Sequence, residues 1–170
     1  MGYLKNQRGF TLVELVLSIL LLSILFLSVW GLFGQSFIFW KQGENKVDMD
    51  DSLRIALDRM GRELRYTQGI TSSSSSTKLY FVNADGIAIQ YYCSAYAIYR
   101  QVLGLTPQPL VSDIQSIGFS YMNSAGSVIT DVSTQAATVR QVKITITAKK
   151  LGSKVAPVVL TQKVSLRALP

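Results

Sequence analysis

The side chain whose chemistry is least expected in its surroundings is Glu14, a carboxylate near the start of an otherwise uncharged apolar run that reaches Trp40. At the centre of a bilayer such a group costs roughly 2.5 to 3.5 kcal/mol on insertion scales, and acidic residues inside membranes usually serve a function. Glu14 belongs to the stretch RGFTLVEL, residues 8–15. This stretch is therefore the candidate functional site of the sequence.

The rest of the composition offers little material for catalysis or metal binding. Histidine is absent, which removes the commonest general base and the usual zinc ligand. Cys93 is the single cysteine, so no intrachain disulfide can form. A buried free thiol is the favoured interpretation and an intermolecular bridge is the alternative. The acidic run DMDD, residues 48–51, lacks the glycine turn and terminal glutamate of a calcium loop. We predict that the chain is not an enzyme and holds no metal or cofactor.

Positive charge is concentrated toward the carboxy terminus. Seventeen Lys and Arg against ten Asp and Glu give a net charge of +7. A basic surface can bind nucleic acid or anionic lipid, or it can simply be a solvated face, so contact with nucleic acid through this part stays an alternative. From Val132 onward the sequence has no acid and these basic residues: Arg140, Lys143, Lys149, Lys150, Lys154, Lys163 and Arg167.

The apolar run that contains Glu14 predicts a membrane-spanning helix. No charged side chain occurs between Leu15 and Trp40, and at about 1.5 Å per residue this length exceeds a hydrocarbon core of about 30 Å. The run is too long for a secretory signal and has no small-residue cleavage site at its far end. Lys5 and Arg8 precede it without any acid. We therefore predict one pass through the cytoplasmic membrane, with the amino end in the cytoplasm and the carboxy-terminal part outside.

The helix is expected to continue beyond the membrane as an amphipathic segment over residues 47–66. Asp50 with Arg54, and Asp58 with Arg62, are i,i+4 pairs in the favourable order, each worth a few tenths of a kcal/mol. Apolar residues recur at spacings of three and four and form one stripe. Its members are Met49, Leu53, Leu57, Met60 and Leu64.

The second half of the chain predicts antiparallel strands. The low-complexity run TSSSSST, residues 71–77, ends the helical period and predicts a flexible connector or loop. After it, apolar residues alternate with period two, and Ala84-Asp85-Gly86 gives a hairpin signal. The fold class is therefore α+β, with the amphipathic half of the helix covering one face of a sheet. The predicted strands include 79–83, 87–92, 96–102, a strand containing Ile117 to Tyr121, one containing Val142 to Ile146, and 158–167.

RG followed by FTLVEL, behind a short basic leader and ahead of a long apolar helix, resembles the processing signal of type IV pilins and pseudopilins. The resemblance implies that a membrane-embedded aspartyl prepilin peptidase cleaves after Gly9 and that the new amine of Phe10 is methylated. Glu14 falls where the family has its glutamate, and a pilin-like fold is implied. The expected divisions are a cleaved leader (1–9), a transmembrane and filament-core helix (10–40), its amphipathic second half (41–70) and a β-rich extracytoplasmic domain (71–170).

Later stretches resemble the J-type minor pseudopilins of type II secretion and their type IV pilus relatives. The resemblance implies a subunit that helps to initiate or cap a periplasmic or extracellular fibre. Its partners would be the prepilin peptidase, other minor and major pilins or pseudopilins, and the inner-membrane assembly platform. A fibre-tip module that binds DNA or a surface is the alternative. The similar stretches include LDRMGRELRYTQGI (57–70), PLVSDIQSIGFSYMNSAG (109–126), VRQVKITITAKK (139–150) and the closing VSLRALP.

Cleavage at Gly9 gives Glu14 a partner that the uncut chain lacks. An amine at Phe10 is mostly cationic at neutral pH, and it lies one helical turn from Glu14, on the same face. Each charge is costly in an apolar setting, and pairing offsets both costs. The pair can close within one chain or between neighbours in a fibre. The alternative is a Glu14 that lies at the level of the lipid headgroups and is only solvated.

Overall fold

A computed structural model of the chain describes residues 11–150 and 156–167. Its first element is one continuous helix, α1, which spans Leu12–Arg65 and passes through the acidic run at residues 48–51. Internal contacts divide the chain into two compact units, Met1–Glu44 and Asn45–Pro170. The long amino-terminal helix and its continuation past the apolar run were both predicted correctly.

The predicted apolar stripe on the second part of α1 is confirmed. Leu53, Leu57, Met60 and Leu64 are buried, and Met49 packs against the same core. Because these residues recur every three or four positions, they lie on one side of the helix and bury together. The two predicted i,i+4 ion pairs also form, with Arg54 Nε 2.8 Å from Asp50 Oδ2 and Arg62 Nη2 3.4 Å from Asp58 Oδ2.

The helix ends at Arg65, five residues before the expected boundary at 70, because the next residues pair with a strand. Thr67 is fully buried, and its hydroxyl donates to the carbonyl of Val82 at 2.6 Å. The Arg65 carbonyl, which the helix itself leaves unpaired, accepts the N–H of Arg167 at 3.1 Å. Residues 69–70 then form a strand instead of a last helical turn.

Nine strands and one short helix follow α1 in the described part of the chain. Asp131 caps the short helix by accepting the Ser133 N–H at 3.0 Å. A 3₁₀ turn, Ala136–Thr138, continues that helix. The elements are β1 Gly69–Ile70, β2 Lys78–Val82, β3 Ala88–Ser94, β4 Ala97–Val102, β5 Gln108–Ser112, β6 Ile114–Met122, β7 Val128–Ile129, α2 Val132–Gln135, β8 Gln141–Ala148 and β9 Val158–Ser165.

The strands form two antiparallel sheets, in the orders β1-β2-β3-β4-β5 and β7-β6-β8-β9, where the sequence pattern suggested one. The break falls at Asp113, the one residue between β5 and β6. Its φ of 60° turns the chain through the left-handed region, so β6 cannot continue the ladder of β5. We call the five-stranded sheet sheet A and the four-stranded sheet sheet B.

The predicted hairpin between β2 and β3 is present. Asn83 closes it, because its backbone N–H donates to the Ile87 carbonyl at 2.9 Å and its side-chain oxygen accepts the N–H groups of Asp85 and Ile87. Gly86 has φ of 79°, a conformation that favours glycine over residues with a Cβ.

The serine run is a loop, as predicted, but it is fastened to both sheets. The Ser74 hydroxyl is buried and bridges the N–H and the carbonyl of Tyr80 in sheet A. The Ser76 carbonyl accepts the Phe119 N–H from sheet B at 2.8 Å. The hydroxyl of Tyr121 donates to the Ser75 carbonyl at 2.9 Å. Low sequence complexity here accompanies specific hydrogen bonding, because the Ser74 hydroxyl and the carbonyls of Ser75 and Ser76 all bond to residues of the strands.

One hydrophobic core joins the second part of α1 to the inner faces of both sheets. Phe81 and Tyr91 stack in sheet A with ring centroids 6.0 Å apart. Ile144 and Ile146 supply the centre of sheet B and are completely buried. The chain therefore has the α+β, pilin-like fold that the sequence predicts: a long amino-terminal helix packed with antiparallel sheets.

Candidate functional site

Glu14 is held at the first turn of α1 by Thr11. The Thr11 N–H and hydroxyl both donate to Glu14 Oε2, at 3.0 and 3.1 Å, and the Glu14 N–H donates back to the Thr11 hydroxyl at 3.3 Å. This reciprocal arrangement is a capping box, which satisfies two of the N–H groups that a helix start leaves unpaired. All of these bonds to the carboxylate fall on Oε2. Among the described residues, Oε1 has no hydrogen-bond partner.

The predicted partner of Glu14 lies outside the described residues. Gly9 and Phe10, expected at the cleavage site, and Lys5 and Arg8, expected to orient the leader, all precede residue 11. Their roles and the pairing of the Phe10 amine with Glu14 stay predictions. Thr11 was not predicted from the sequence to bond to Glu14, although a threonine three positions before a glutamate and ahead of an apolar run is a signal for a helix start.

In the apolar part of α1 the serine hydroxyls are hydrogen-bonded, and the apolar side chains are not covered by the rest of the chain. From Leu12 to Trp40 every side chain is exposed within the chain. Each serine hydroxyl there donates a hydrogen bond to the carbonyl four residues earlier, so none of these hydroxyls is left unbonded. Among the described residues, one helix is long and apolar enough to cross a membrane, and it is α1. The serine hydroxyls that bond to carbonyls of α1 are those of Ser18 at 2.7 Å, Ser23 at 2.8 Å, Ser28 at 3.0 Å and Ser36 at 2.9 Å from their acceptors.

A second polar cluster joins sheet A to the covered part of α1, the part whose apolar stripe is buried against the sheets. Glu63 lies at its centre, with a side chain 22% exposed. Arg100 Nε donates to both Glu63 oxygens, at 2.9 and 3.1 Å, and the Tyr91 hydroxyl donates to Oε2 at 2.9 Å. Arg59 Nε lies 3.6 Å from Glu63 Oε1. No local sequence pattern indicates this cluster, because its members come from elements far apart in the chain.

Burial and charge shift the pKa values of this cluster. Burial raises the pKa of the Tyr91 hydroxyl well above its ordinary value, and the negative charge and hydrogen bond of Glu63 add to that rise. Partial burial acts to lower the pKa of Arg100, but the hydrogen bond and charge of Glu63 outweigh it and raise the pKa. Every group in the cluster has a partner, so it locks α1 to the sheet and presents no unpaired nucleophile or base.

The tyrosines of sheet A divide between core and surface. Tyr91 is completely buried, because its parity in β3 directs it to the inner face. Tyr92 and Tyr99 stack on the outer face with centroids 5.7 Å apart, and Tyr96 is exposed. Cys93 is a free thiol and half-buried, and burial raises its pKa.

No group of three or more His, Cys, Asp or Glu side chains that could hold a metal ion occurs among the described residues. The acidic run at residues 48–51 is helical throughout, as its periodicity predicted. Its carboxylates therefore spread around the helix instead of converging on one point.

Comparison with known families supports the interpretation of the amino-terminal stretch. Residues 4–30 match the family described as the prokaryotic N-terminal methylation motif. A comparison with curated proteins gives no match. The motif supports membership of the type IV pilin and pseudopilin family and implies processing by prepilin peptidase followed by pilin-type assembly. Together with the apolar helix, it fits a membrane-anchored pilin.

Proposed function

We propose that this chain is a minor pilin or pseudopilin subunit of a type II secretion or type IV pilus-type fibre, which helps to initiate or cap fibre assembly. The observation that carries the proposal is the methylation motif at residues 4–30, whose larger part lies on an apolar helix that the chain itself leaves uncovered as far as Trp40. A subunit with this build needs a membrane first and neighbouring helices afterwards.

The proposed order of events is insertion, cleavage and assembly. Lys5 and Arg8 hold the leader in the cytoplasm. Prepilin peptidase cleaves after Gly9, where the lack of a side chain lets the extended backbone approach the protease closely. The domain outside the membrane then joins the fibre through the inner-membrane assembly platform and other pilin-type subunits.

Glu14 is proposed to guide the assembly step. Thr11 occupies its Oε2, and Oε1 remains for the amine of Phe10 or of a neighbouring subunit. An isolated carboxylate is costly in apolar surroundings. Pairing across subunits therefore favours the one register in which Glu14 meets the amine of its neighbour. The arrangement with Thr11 also gives Glu14 a local role, because the capping box forms before any amine is released.

The decisive experiment determines the amino terminus of the membrane-extracted protein by mass spectrometry. We expect a terminus at Phe10 that carries one methyl group in a host with active prepilin peptidase. A Gly9→Val chain should remain uncut, because the added side chain obstructs the approach of the backbone. An intact Met1 on the unaltered chain in such a host would refute the proposal.

A second experiment tests Glu14 by replacing it with an apolar residue. We expect Glu14→Leu to be cleaved normally but incorporated poorly into fibres, measured by immunoblotting of sheared or crosslinked fibre fractions. Ser23→Leu is the matched control, because it makes the same apolar helix more apolar without touching Glu14. Equal incorporation of both variants would show that Glu14 is only solvated at the headgroup level.

A second candidate function is binding of DNA or of a surface at the fibre tip. It is favoured by Lys143 and Lys163, which are exposed and directly opposite each other in β8 and β9. If DNA binds there, the affinity of the full chain at low salt should fall when both lysines become Gln, and the salt dependence should weaken. No binding at low salt, or no effect of the two changes, would exclude this role.

A further inference from the structure

The four outer strands of the two sheets differ in how well they are protected against strand addition. β1 and β7 have two residues each. β5 carries Pro109, and the β4–β5 pairing has a register shift at Ile98/Tyr99. β9 has eight residues with no proline, and its pairing with β8 is regular throughout. Short length, proline and bulges are three usual protections of a sheet edge, and β9 has none of these three; of the charged residues that also protect edges, it has Lys163.

The register of β8 and β9 shows which backbone groups face away from the sheet. The Leu166 N–H donates to the Arg140 carbonyl at 2.9 Å, so residues an even number of positions before Leu166 also point toward β8. The odd residues of β9 therefore direct their N–H and C=O groups outward. Among the described residues, these outward groups have no hydrogen-bond partner. They belong to Val159, Thr161, Lys163 and Ser165.

The outward edge ends at a defined point. Arg167 is the next residue of the same parity, and its N–H donates to the Arg65 carbonyl at the end of α1. The open stretch is therefore residues 159–165, about the length of an average strand. The outward backbone groups of this stretch have the spacing that an added strand needs, and the next outward N–H, that of Arg167, is already bonded.

A groove lies beside this edge. It has a volume of about 240 Å³ and is lined by Arg54, Leu57 and Asp58 of α1 and by Leu160, Thr161 and Gln162 of β9. Leu57 and Leu160 give it an apolar floor, and the charged helix residues form its rim. The Gln162 Oε1 atom is buried and has no hydrogen-bond partner among the described residues. A side chain entering the groove would bury apolar surface and meet polar groups at the rim.

The opposite face of the same edge is positively charged. Lys163 lies directly opposite Lys143, and like charges in that position destabilise a strand pair. Both lysines are exposed, and neither has an ion-pair partner in the part of the chain that the structure describes. A carboxylate on the outer face of an added strand would lie next to Lys163 and relieve the repulsion.

We propose that the open edge of β9 binds an extended strand of a polypeptide other than a second copy of this chain, in antiparallel orientation. The recognised strand alternates apolar side chains, which enter the groove by Leu57 and Leu160, with polar side chains that include an acid near Lys163. This deepens the proposed function by naming the surface that contacts a neighbouring subunit, but strand binding itself does not require cleavage of the leader.

The first test measures binding of a synthetic peptide to the full chain in detergent micelles. The probe is a fluorescent peptide of about eight residues that alternates Val with Thr and replaces one Thr by Glu. We expect saturable binding by fluorescence anisotropy. N-methylation at the Thr and Glu positions should abolish binding, because those N–H groups face β9. N-methylation at Val positions, whose N–H groups face away, should weaken binding much less.

Two substitutions at one position separate backbone from side chain. Thr161→Pro removes an outward N–H and leaves the β8–β9 ladder intact, since proline is tolerated where an edge N–H faces solvent. Thr161→Val keeps the N–H. We expect the proline variant to bind the peptide at least about tenfold more weakly, through the lost hydrogen bond and the ring's obstruction, and the valine variant to bind normally. Equal binding by the folded proline variant would overturn the proposal.

Hydrogen exchange on the unaltered chain gives a result that does not depend on any variant folding. The Thr161 and Lys163 amides should exchange quickly in the isolated chain and slowly with saturating peptide, whereas the Leu160 and Gln162 amides should be slow in both. Failure of the unaltered chain to bind the peptide, or unchanged exchange of Thr161 and Lys163, would overturn the proposal. A homodimer that Thr161→Pro abolishes would assign the edge to a second copy and overturn the claim of a different chain.

The two proposals can fail separately. A chain cleaved at Phe10 whose β9 edge does not bind the peptide contradicts strand addition alone. A chain that binds the peptide but keeps Met1 in a host with active prepilin peptidase contradicts the fibre function alone.

Discussion

The two parts of α1 are both rich in apolar residues, but only the second is covered by the rest of its own chain. Between Leu12 and Trp40 every side chain is exposed. Between Leu53 and Leu64 the apolar stripe is buried against the sheets. The difference shows that one continuous helix serves two purposes. Its first part requires an apolar environment supplied from outside the chain, and its second part stabilises the fold.

The largest effect should come from removing side-chain volume in the covered part. Leu53→Ala should lower the free energy of unfolding by about 2 to 5 kcal/mol, because Leu53 is completely buried. Leu25→Ala is the control, since Leu25 is exposed within the chain, and should leave that free energy unchanged. Both free energies are measured by denaturant unfolding of the full chain in micelles, followed by tyrosine fluorescence. Similar losses for the two variants would contradict the division of α1 into covered and uncovered parts.

The next effect concerns the charges that fix the covered part of α1. Arg100→Met should cost about 2 kcal/mol, because it leaves the largely buried Glu63 carboxylate without its main partner. Arg54→Met is the matched control. Arg54 also has an ion pair, to Asp50, but its side chain is 68% exposed, so its loss should cost less than about 1 kcal/mol. Equal losses in the same unfolding assay would show that burial does not distinguish the two pairs.

Alkaline pH should weaken the covered part through Tyr91. Burial raises the Tyr91 pKa in the folded chain, so above the ordinary value of about 10 the unfolded chain releases a proton that the folded chain keeps. The free energy of unfolding should then fall with rising pH, by roughly 1.4 kcal/mol per pH unit for one proton. This dependence is absent below that pH.

Two tyrosine variants isolate this contribution. Tyr91→Phe should make the alkaline slope shallower by one proton, while Tyr66→Phe, at an exposed position, should leave it unchanged. Burial also raises the pKa of Tyr121, so part of the slope should persist in the Tyr91 variant. An unaltered slope in Tyr91→Phe would contradict the assignment.

The smallest effect is local to the uncovered part. Thr11→Ala removes the capping hydroxyl and should destabilise the first turn of α1 by about 1 kcal/mol. Hydrogen exchange of the Val13 and Glu14 amides in micelles should quicken, and unfolding of the covered part should not change. Thr138→Ala, at a hydroxyl far from this turn, is the control and should leave the exchange of Val13 and Glu14 as it was.

Local signals explain which parts of the fold could be predicted from the sequence. The stripe on α1 and the hairpin at Gly86 each depend on residues a few positions apart, so a local sequence pattern predicts them. The division into two sheets depends on the φ of Asp113, which no periodicity records. The binding of the serine run to both sheets likewise depends on long-range partners, since Ser74 and Ser76 bond to strands that follow later in the chain.

The candidate site was predictable in its residues and less so in its contacts. Glu14 stood out because a carboxylate is rare in an apolar run. Its partner Thr11 was visible in the same stretch, three positions before Glu14, but the sequence-based prediction paired Glu14 with the amine of Phe10, four positions before it. The bonds from Thr11 are observed, and the pair with Phe10 stays a prediction. The cluster around Glu63 and the open edge of β9 needed the structure, because each is defined by which strands lie side by side.

The hydrogen bond from the Arg167 N–H to the Arg65 carbonyl has a consequence for how such a domain can be rearranged. It brings the point where the chain leaves α1 next to the point where β9 ends. A domain whose two ends adjoin can be circularly permuted, or exchanged as a cassette, with a short connector. Because the sheets bury the apolar stripe of α1, a different anchor helix joined at this corner would have to keep that stripe and could differ only in the exposed part before it.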